Sequence, residues 1–460
     1  MRKILAIMVG KIVILLSRRL GNQGTDFPGR VARKIYPGIL KALAANIDEE
    51  IFIVTGTNGK TTTSNMIAAI LKEKGYSLVH NSAGANMLTG ITTAFIKASD
   101  ILGRNKFDYA LLEVDEAYVP LLIHEARPRV VIITNFFRDQ LDRYGELDHT
   151  INLIKDGVRN TDIELVLNGD DPLITHFQHD TGLHCWYYGF EDTVYDSMES
   201  EESREGRYCV FCGEELEYSR YHYAQLGQFN CPRCQNHNPH LNFTGRGLKM
   251  TPFIEMKVND LAIESPYQGF YNAYNILAAV SAARLVGIED GVIQKAIAGY
   301  QPRAGRMENF IINGKRTVLI LVKNPTGLNQ TLSTLLYDQQ SKNLFVALND
   351  NAADGRDISW IWDADVEVLA QDKAQIVKVV CSGQRSGDMA VRIKYSGIDS
   401  RLISIKSSLE EGIRAATAGP GEVSYILSTY TALFDCQKIL KKMQQQDEAE
   451  KTVGVQQMQA

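Results

Sequence analysis

The segment Ile51-Phe-Ile-Val-Thr-Gly-Thr-Asn-Gly-Lys-Thr-Thr-Thr63 constrains the fold of this chain more than any other part. An apolar run rich in branched residues ends in a glycine loop, and a lysine, several hydroxyl residues and a helical pattern follow at once. Gly56 and Gly59 permit a sharp turn in which backbone N–H groups converge on an anion. The segment therefore predicts a strand, a phosphate-binding loop and a helix.

Side chains next to the loop complete this prediction. Lys60 is placed to reach the terminal phosphates, and Thr61 or Thr62 is placed to hold Mg²⁺. The alternative is an ordinary βα turn that happens to contain Gly-Lys-Thr. A helical pattern after the loop favours nucleoside triphosphate binding; its apolar positions are Met66, Ile67, Ile70 and Leu71.

Composition limits the class of protein. A chain of 460 residues is long enough for two or three domains. With 45% hydrophobic and 22% charged residues, it has the make-up of a globular protein. A net charge of −5 gives no general electrostatic reason to bind nucleic acid. Seven cysteines in a chain of this size do not indicate a secreted disulfide scaffold.

The N-terminal segment is apolar from Ile4 to Leu16 and flanked by cations. Gly10 and Lys11 interrupt it, and it is too short to span a bilayer. The residues that follow it do not resemble a signal-peptide cleavage site. We expect a helix packed on the first domain, with an amphipathic membrane-surface helix as the alternative. Both leave the protein cytoplasmic, the second at the inner face of the membrane.

Apolar runs and helical patterns alternate along most of the chain, which predicts a doubly wound, mostly parallel α/β sheet. The strands expected in the first half are Ile51–Val54, Tyr109–Val114, Val130–Thr134 and Leu165–Leu167. A break rich in Pro and Gly at Tyr300–Arg306 precedes a new βα series that starts near Thr317. We expect an N-terminal helical segment (1–49), a central domain (50–302), a smaller Rossmann-like domain (303–443) and a disordered tail (444–460).

Four cysteines form two C-x₂-C pairs that are 18 residues apart: Cys209, Cys212, Cys231 and Cys234. Each pair turns two sulfurs toward one point, and two pairs supply a tetrahedral Zn²⁺ site. Four free thiols are the alternative. Because a four-sulfur site is closed, the zinc is predicted to be structural, in a ribbon inserted at about 205–240 and packed by nearby aromatic residues. His222, His237 and His240 are expected to lie at the surface.

Several motifs together resemble the Mur ligases, ATP-dependent enzymes that form amide bonds in peptidoglycan synthesis. The first is the Thr55–Thr62 loop. The motifs similar to those that follow it in the family are Gly84-Ala-Asn86 with Gly90, Leu112-Glu113-Val114, Thr134-Asn135 with Asp139, Asn168-Gly-Asp-Asp-Pro172, Gly269-Phe-Tyr-Asn-Ala-Tyr-Asn275, Gly305-Arg-Met-Glu308 and Asn324-Pro325. The resemblance implies a central ATP-binding domain and a C-terminal domain joined by a hinge.

Three features resemble the MurT-type branch of the family: the cysteine ribbon, the segment Asp350–Asp363 and the segment Ser424–Ala432. The resemblance implies ATP-dependent amidation of the α-carboxyl of D-glutamate in the lipid II stem peptide. It also implies ATP, Mg²⁺ and structural Zn²⁺ as cofactors. The partner it implies is a class I glutamine amidotransferase subunit of the GatD type, which supplies ammonia within a heterodimer.

The same resemblance assigns roles to individual residues. Mg²⁺ would be held by Thr61 and by Glu113. The alternative interpretation of Glu113 is a solvated residue at the end of a strand. Arg306 would close onto the phosphates, or is simply an exposed linker arginine. Asn272 and Asn275 would contact the nucleotide, or cap a helix. The full set expected to bind nucleotide is Gly56, Thr57, Asn58, Gly59, Lys60, Thr61, Thr62, Asn272, Asn275 and Arg306, with Lys60 and Glu113 also catalytic.

The acidic segment Asp350–Asp363 has a further implied role. In this branch one acid orients the histidine of the glutaminase partner as the third member of a Cys-His-Asp set. Asp354 is our first candidate and Asp357 our second, with Trp360 and Trp362 expected to pack the contact. Repeated acids in a loop are otherwise solvated or cap helices.

Two other functions fit parts of the sequence. An amino-acid ligase of the Mur or folylpolyglutamate type would share the loop and the domain order. A zinc-ribbon NTPase acting on nucleic acid would share the loop and the cysteines, but it predicts a basic stripe with aromatic residues. The acidic residues of the ribbon and the negative net charge of the chain make a nucleic-acid enzyme the less favoured interpretation.

Overall fold

The computed structural model describes residues 1–19, 24–82, 85–137, 147–197, 205–250, 253–301 and 306–458. Its strands are β1 (Ile47–Thr55), β2 (Leu78–His80), β3 (Phe107–Glu113), β4 (Val130–Ile133), β5 (Glu164–Asn168), β6 (Cys185–Phe190), β7 (Glu217–Tyr223), β8 (Leu226–Asn230), β9 (Phe243–Lys249), β10 (Ile254–Val258), β11 (Leu261–Ser265), β12 (Arg306–Ile312), β13 (Lys315–Leu321), β14 (Lys342–Ala347), β15 (Ile376–Ser382), β16 (Ile403–Ile405) and β17 (Val423–Ser428).

Helices lie between most of these strands. They are α1 (Arg2–Arg19), α2 (Phe27–Ile35), α3 (Ile39–Ala44), α4 (Lys60–Glu73), α5 (Leu88–Ala98), α6 (Val119–Ala126), α7 (Leu147–Val158), α8 (Phe177–Thr181), α9 (Phe270–Leu285), α10 (Asp290–Ala298), α11 (Pro325–Tyr337), α12 (Ser386–Tyr395), α13 (Leu409–Thr417) and α14 (Tyr430–Met458).

The larger sheet has the strand order β11-β10-β9-β6-β5-β4-β1-β3-β2. Strands β2 to β6, β1 and β9 pair in parallel, and β10 and β11 add an antiparallel edge. The four strands predicted in the first half are confirmed as β1, β3, β4 and β5. Because the chain leaves β1 toward β2 and later returns to β4 on the other side, the strand order reverses at the carboxyl end of β1. Ligands of open α/β sheets bind at such a point.

Both faces of this sheet are covered. Along β1, Phe52 and Val54 belong to a core shared with α4, α9 and α10, whereas Ile51 and Ile53 belong to a second core shared with α1 to α3 and α5 to α8. Successive strand residues point to opposite faces, so an uninterrupted apolar run is what a doubly covered strand requires. The predicted doubly wound α/β fold is confirmed.

The C-terminal residues form a second sheet, ordered β12-β13-β17-β14-β15-β16, in which only β12 is antiparallel. Helices cover both of its faces. Helix α14 extends to Met458, which differs from the disorder expected after Met443. The Gln, Glu, Lys and Ala residues of that segment favour helix even without an apolar face.

The N-terminal helices pack on the larger sheet through α5. Ala6, Ile7 and Ile14 of α1 are part of its second core. None of the described helices combines the length and apolarity needed to cross a membrane.

Candidate active site between the two domains

The loop between β1 and α4 has the backbone of an anion cradle. Gly56 and Gly59 have φ angles of 115° and 86°, which favour glycine. A Cβ atom on Gly59 would lie 2.1 Å from Oδ1 of Asn275, and one on Gly56 would lie 2.4 Å from Oγ1 of Thr134. Both glycines are therefore required by the turn and by the side chains packed against it.

Lys60 begins α4 and forms a buried ion pair. Its Nζ donates to Oε1 of Glu116 at 2.8 Å and to the carbonyl of Gly56 at 2.5 Å. Burial alone would lower the pKa of Lys60, but the attraction of Glu116, with smaller contributions from Asp115 and Glu113, raises it above its ordinary value. The ammonium group is thus held charged over the loop, where phosphates would bind.

Glu113 ends β3 beside the loop and is buried. Its Oε1 accepts a hydrogen bond from Oγ1 of Thr61 at 3.0 Å, so the two residues predicted to hold Mg²⁺ lie together. Asn81 fixes the strand end, because its side chain bonds both the N–H and the carbonyl of Glu113 at 2.9 and 2.7 Å. A carboxylate and a hydroxyl at this spacing are oxygen ligands of the kind that Mg²⁺ takes.

The residues after β4 hold the loop from the other side. Asn135 accepts from the N–H of Asn58 at 3.0 Å and donates to its carbonyl at 3.1 Å. Oγ1 of Thr134 donates to the same carbonyl at 2.6 Å, and Thr57 exchanges hydrogen bonds with the backbone of Phe137. The Thr134-Asn135 motif therefore shapes the loop.

Asn272 and Asn275 lie inside helix α9, whose N-cap is Gly269. The interpretation of the asparagines as N-cap residues is therefore wrong. Asn275 faces the loop, where its Oδ1 accepts from Oγ1 of Thr63 at 3.3 Å, and its amide donates to Asn272 at 3.2 Å. The two asparagines form a polar pair against the loop.

The second domain contacts the loop at Asn324. The amide of Asn324, which caps α11, donates to Oδ1 of Asn58 at 3.3 Å. Arg306 starts β12, but its side chain, like Gly84, Asp139 and Gly305 of the family motifs, lies outside the described residues. Asn324 follows β13, so carboxyl ends of strands from both sheets meet at this point.

The acidic segment follows β14 in the second domain. Asp354 is buried and accepts from both the N–H and Oγ1 of Thr431, at 2.7 and 2.5 Å, in the first turn of α14. Asp357 is exposed, with the pKa of its carboxyl lowered by hydrogen bonds from Ser359. Asp350 pairs with Arg385, and Asp363 is exposed.

The two tryptophans separate in the structure. Trp360 is 7% exposed and belongs to the core of the second domain, so the expectation that it packs a partner contact is wrong. Trp362 is 52% exposed and lies against Tyr395, with the guanidinium of Arg392 over its ring. Their spacing of two residues on a 3₁₀ turn puts them on different faces.

The four cysteines meet at one point. Their sulfurs all lie within 4.8 Å of one another, with Cys209–Cys234 and Cys212–Cys231 separations of 3.5 Å. Tyr218, Leu216 and Phe229 pack around them, whereas Tyr208 and Phe211 are about half exposed. His222 is buried and bonded to Asp196 at 2.8 Å, which corrects its expected surface position.

Sequence comparison identifies two family domains. The chain matches the Mur ligase middle domain over residues 54–232 and the MurT ligase C-terminal domain over residues 321–433. Among solved structures, the pseudomurein peptide ligase type C of Methanothermus fervidus superposes with a TM-score of 0.66 at 22% identity, over 87% of this chain and 80% of that one. MurF of Acinetobacter baumannii superposes with a TM-score of 0.63 at 15% identity, over 90% of this chain and 81% of that one. The protein thus has the fold of a Mur ligase.

Two relatives narrow the assignment. The lipid II isoglutaminyl synthase (glutamine-hydrolyzing) subunit MurT of Staphylococcus aureus (strain COL) is 38% identical over 420 residues, 91% of this chain and 92% of that protein. The subunit of the same name from Streptococcus pneumoniae (strain ATCC BAA-255 / R6) is 35% identical over 449 residues, 96% and 97% of the two chains. The chain belongs to the MurT family.

Sequence reasoning missed Glu116 and Asn81, which the fold brings to the loop. Glu116 stands three residues after Glu113, on a turn that no motif marked. Asn81 follows the three-residue strand β2, which is too short to give a periodic signal. The sequence signal that could have indicated a partner for Lys60 is the cluster of acids in the stretch Glu113-Val-Asp-Glu116.

Proposed function

We propose that this protein is the ligase subunit of a lipid II isoglutaminyl synthase. It amidates the α-carboxyl of D-glutamate in the stem peptide, with ATP as the energy source and ammonia from a glutaminase subunit. The observation that carries the proposal is the similarity to two MurT subunits along more than nine-tenths of each chain. Because lipid II is membrane-bound, the enzyme works at the inner membrane surface.

Chemistry explains why such an enzyme needs ATP. A carboxylate carries negative charge and has no good leaving group, so ammonia does not attack it. Transfer of the γ-phosphoryl group to one carboxylate oxygen gives an acyl phosphate, and ammonia then displaces inorganic phosphate. The protein has to position three reactants and neutralise charge.

The loop residues fit this task. Backbone N–H groups between Gly56 and Lys60 would bind the β- and γ-phosphates at the start of α4. Lys60 would leave Glu116 to contact the terminal phosphate. Thr61 and Glu113, 3.0 Å apart and both oxygen donors, would hold Mg²⁺, which spreads the charge of the transferred group when bound. Asn272 and Asn275 would orient the nucleotide over the loop.

The cysteine cluster fits structural zinc. Zn–S bonds of about 2.3 Å at the tetrahedral angle put sulfurs about 3.8 Å apart, close to the 3.5 Å separations here. The ribbon also supports the active-site loop. Gln225, in the turn between β7 and β8, donates to the carbonyl of Phe136. Tyr223 packs on Phe137, the residue that bonds Thr57.

A glutaminase partner would contact the second domain at the carboxyl ends of its strands. Tyr430 and Phe434, two exposed aromatic residues in contact with each other, follow β17 at that edge. Trp362, in the acidic segment after β14, forms a second exposed aromatic pair with Tyr395. Aromatic side chains are enriched at protein interfaces. Asp357 is exposed in the same segment, which supports it as the acid that serves the partner, ahead of the buried Asp354.

Reconstitution tests the function. The purified chain, its glutaminase partner, Mg-ATP, glutamine and lipid II should yield a product about one mass unit lighter, with the amide on D-glutamate. Ammonium should replace glutamine and the partner. Candidate amino acids in place of ammonium separate this function from an amino-acid ligase, which would instead give a product heavier by the amino-acid residue. ATP hydrolysis without any amide product would overturn the proposal.

A further inference from the structure

Helix α1 has two apolar faces, and only one of them is covered. Ala6, Ile7, Gly10 and Ile14 face the protein and are buried. Large side chains on the opposite face are 44–55% exposed: Leu5, Met8, Ile12, Leu15 and Leu16. Residues three and four apart stack along one side of a helix, so these five form a continuous stripe over about three turns.

A neighbouring turn places further exposed apolar side chains beside helix α1. Ile101 and Leu102, which follow α5, are about half exposed. The next residue, Gly103, lies against α1, because its carbonyl accepts from Nζ of Lys3 at 2.9 Å and a Cβ on it would lie 2.7 Å from Cδ1 of Ile7. A contiguous apolar surface of this kind on a folded protein marks a site of interaction.

The charge around the stripe favours one kind of contacting surface. Helix α1 carries five cations and no acid, although the whole chain has a net charge of −5. The cations are Arg2, Lys3, Lys11, Arg18 and Arg19. Two copies of this face would bring like charges together. An anionic lipid surface matches both features, since its acyl region accepts the stripe and its headgroups attract the cations.

The position of α1 relates the stripe to the active site. Its first turns lie beside Gly103, after the end of α5, and Ser17 near its other end lies against Gly24. Two residues further on, Asp26 accepts a hydrogen bond from Thr89 in the first turn of α5. That turn follows β2 and lies at the same edge of the sheet as the Gly56–Gly59 loop. Helix α1 therefore runs toward the catalytic edge, and Arg18 and Arg19 end it there.

We propose that the exposed face of α1 binds an anionic lipid bilayer, with the helix lying in the plane of the interface. This inference deepens the proposed function, because a lipid-linked acceptor moves only within the bilayer. Docking through α1 would hold the catalytic edge next to the surface that carries the substrate. The occupant is the lipid surface itself.

Vesicle flotation tests the inference on the full chain, without nucleotide. Wild-type protein should float with vesicles of phosphatidylglycerol and phosphatidylcholine, and high salt should release it. The exposed-stripe variant Leu5→Ser/Ile12→Ser/Leu16→Ser should lower the bound fraction at least about tenfold. The matched control Leu121→Ser/Val194→Ser/Ile405→Ser removes apolar side chains elsewhere that are at least as exposed, and it should float like the wild type.

Other outcomes overturn the inference. These are wild-type protein that fails to float, a stripe variant that floats unchanged, or a stripe variant that loses only self-association or glutaminase binding. A charge variant, Arg18→Gln/Arg19→Gln, should weaken flotation and its salt dependence even where the triple variant fails to fold. Amidation of detergent-solubilised lipid II should persist in both variants, because this assay needs no bilayer. If the wild-type protein itself does not amidate this substrate, the proposed function is contradicted, but the flotation result still tests membrane binding.

Discussion

Lys60 and Glu116 form an ion pair at 2.8 Å directly over the glycine loop, and both side chains are almost fully buried. The ammonium group therefore remains charged and close to where a terminal phosphate would bind. In the proposed function, Glu116 would compete with that phosphate for Lys60, since nucleotide binding would have to replace one anion by another. The ion pair would then open when nucleotide binds.

Replacing either member of this pair should have opposite effects on ATP binding. Lys60→Met should lower the amidation rate by about 100-fold or more, because it removes the cation at the transferred phosphoryl group. Glu116→Gln should tighten ATP binding several-fold by removing the competing charge. Isothermal titration with a non-hydrolysable ATP analogue should show weaker binding to Lys60→Met and tighter binding to Glu116→Gln, and mass spectrometry of the product measures the amidation rate. Weaker ATP binding by Glu116→Gln would mean that Glu116 itself binds the metal ion.

The glycine loop gives a second test with an internal control. Gly59→Ala should weaken ATP binding at least about tenfold, because a methyl group there would overlap Asn275 and φ is 86°. Gly75→Ala has a similar φ of 96° but nothing within 4 Å of the new methyl group. It should cost about 1 kcal/mol of stability and leave ATP binding unchanged. Equal loss of ATP binding in both variants would contradict the role of the loop.

Loss of the zinc should lower the stability of the protein more than it lowers the rate of the chemical step. Cys231→Ser should lose the bound zinc, measured by elemental analysis, and lower the melting temperature. We expect the KM for ATP to rise, because the ribbon supports Phe137 and Thr57, while some ammonium-dependent activity remains. Cys436→Ala changes a buried thiol outside the cluster and should retain one zinc per chain. Complete loss of chemistry with an intact fold would point to a catalytic metal instead.

Asp354 and Asp357, the two acids that could serve the partner, can be distinguished by how their substitution changes the stability of the protein. Asp357→Asn should abolish glutamine-dependent amidation, keep ammonium-dependent amidation and leave the melting temperature unchanged. Asp354→Asn weakens the hydrogen bonds to Thr431 and should cost about 1–3 kcal/mol of stability.

Thr431→Val is the control for Asp354, since it removes one of the same bonds and keeps the acid. If Thr431→Val retains glutamine use and Asp354→Asn loses it, Asp354 serves the partner and our preference for Asp357 is wrong.

Much of this site could be predicted because its parts are local in sequence. The loop residues from Gly56 to Thr62 share one turn, and the strand before them and the helix after them have clear patterns. Glu113 was predictable from its place at the end of a buried strand. The partners Glu116 and Asn81 were not, because tertiary packing alone brings them to Lys60 and Glu113.

The features that the sequence left open or placed wrongly have a common physical origin. Trp360 and Trp362 have similar sequence surroundings, and only tertiary packing determines which of the two side chains is buried in the core. Asp354 and Asp357 likewise differ only in whether α14 lies close enough to use the carboxylate as a cap. His222 is buried through its bond to Asp196, a residue 26 positions earlier. Local patterns carry no information on such long-range contacts.

The central claim is that ATP converts the D-glutamate carboxylate into an acyl phosphate, and isotope transfer tests it most directly. Lipid II labelled with ¹⁸O in that carboxyl group would be incubated with the enzyme, its partner, Mg-ATP and glutamine. We predict that each amide formed releases one inorganic phosphate carrying one ¹⁸O atom, measured by mass spectrometry. Amide formation with unlabelled phosphate would contradict the claim.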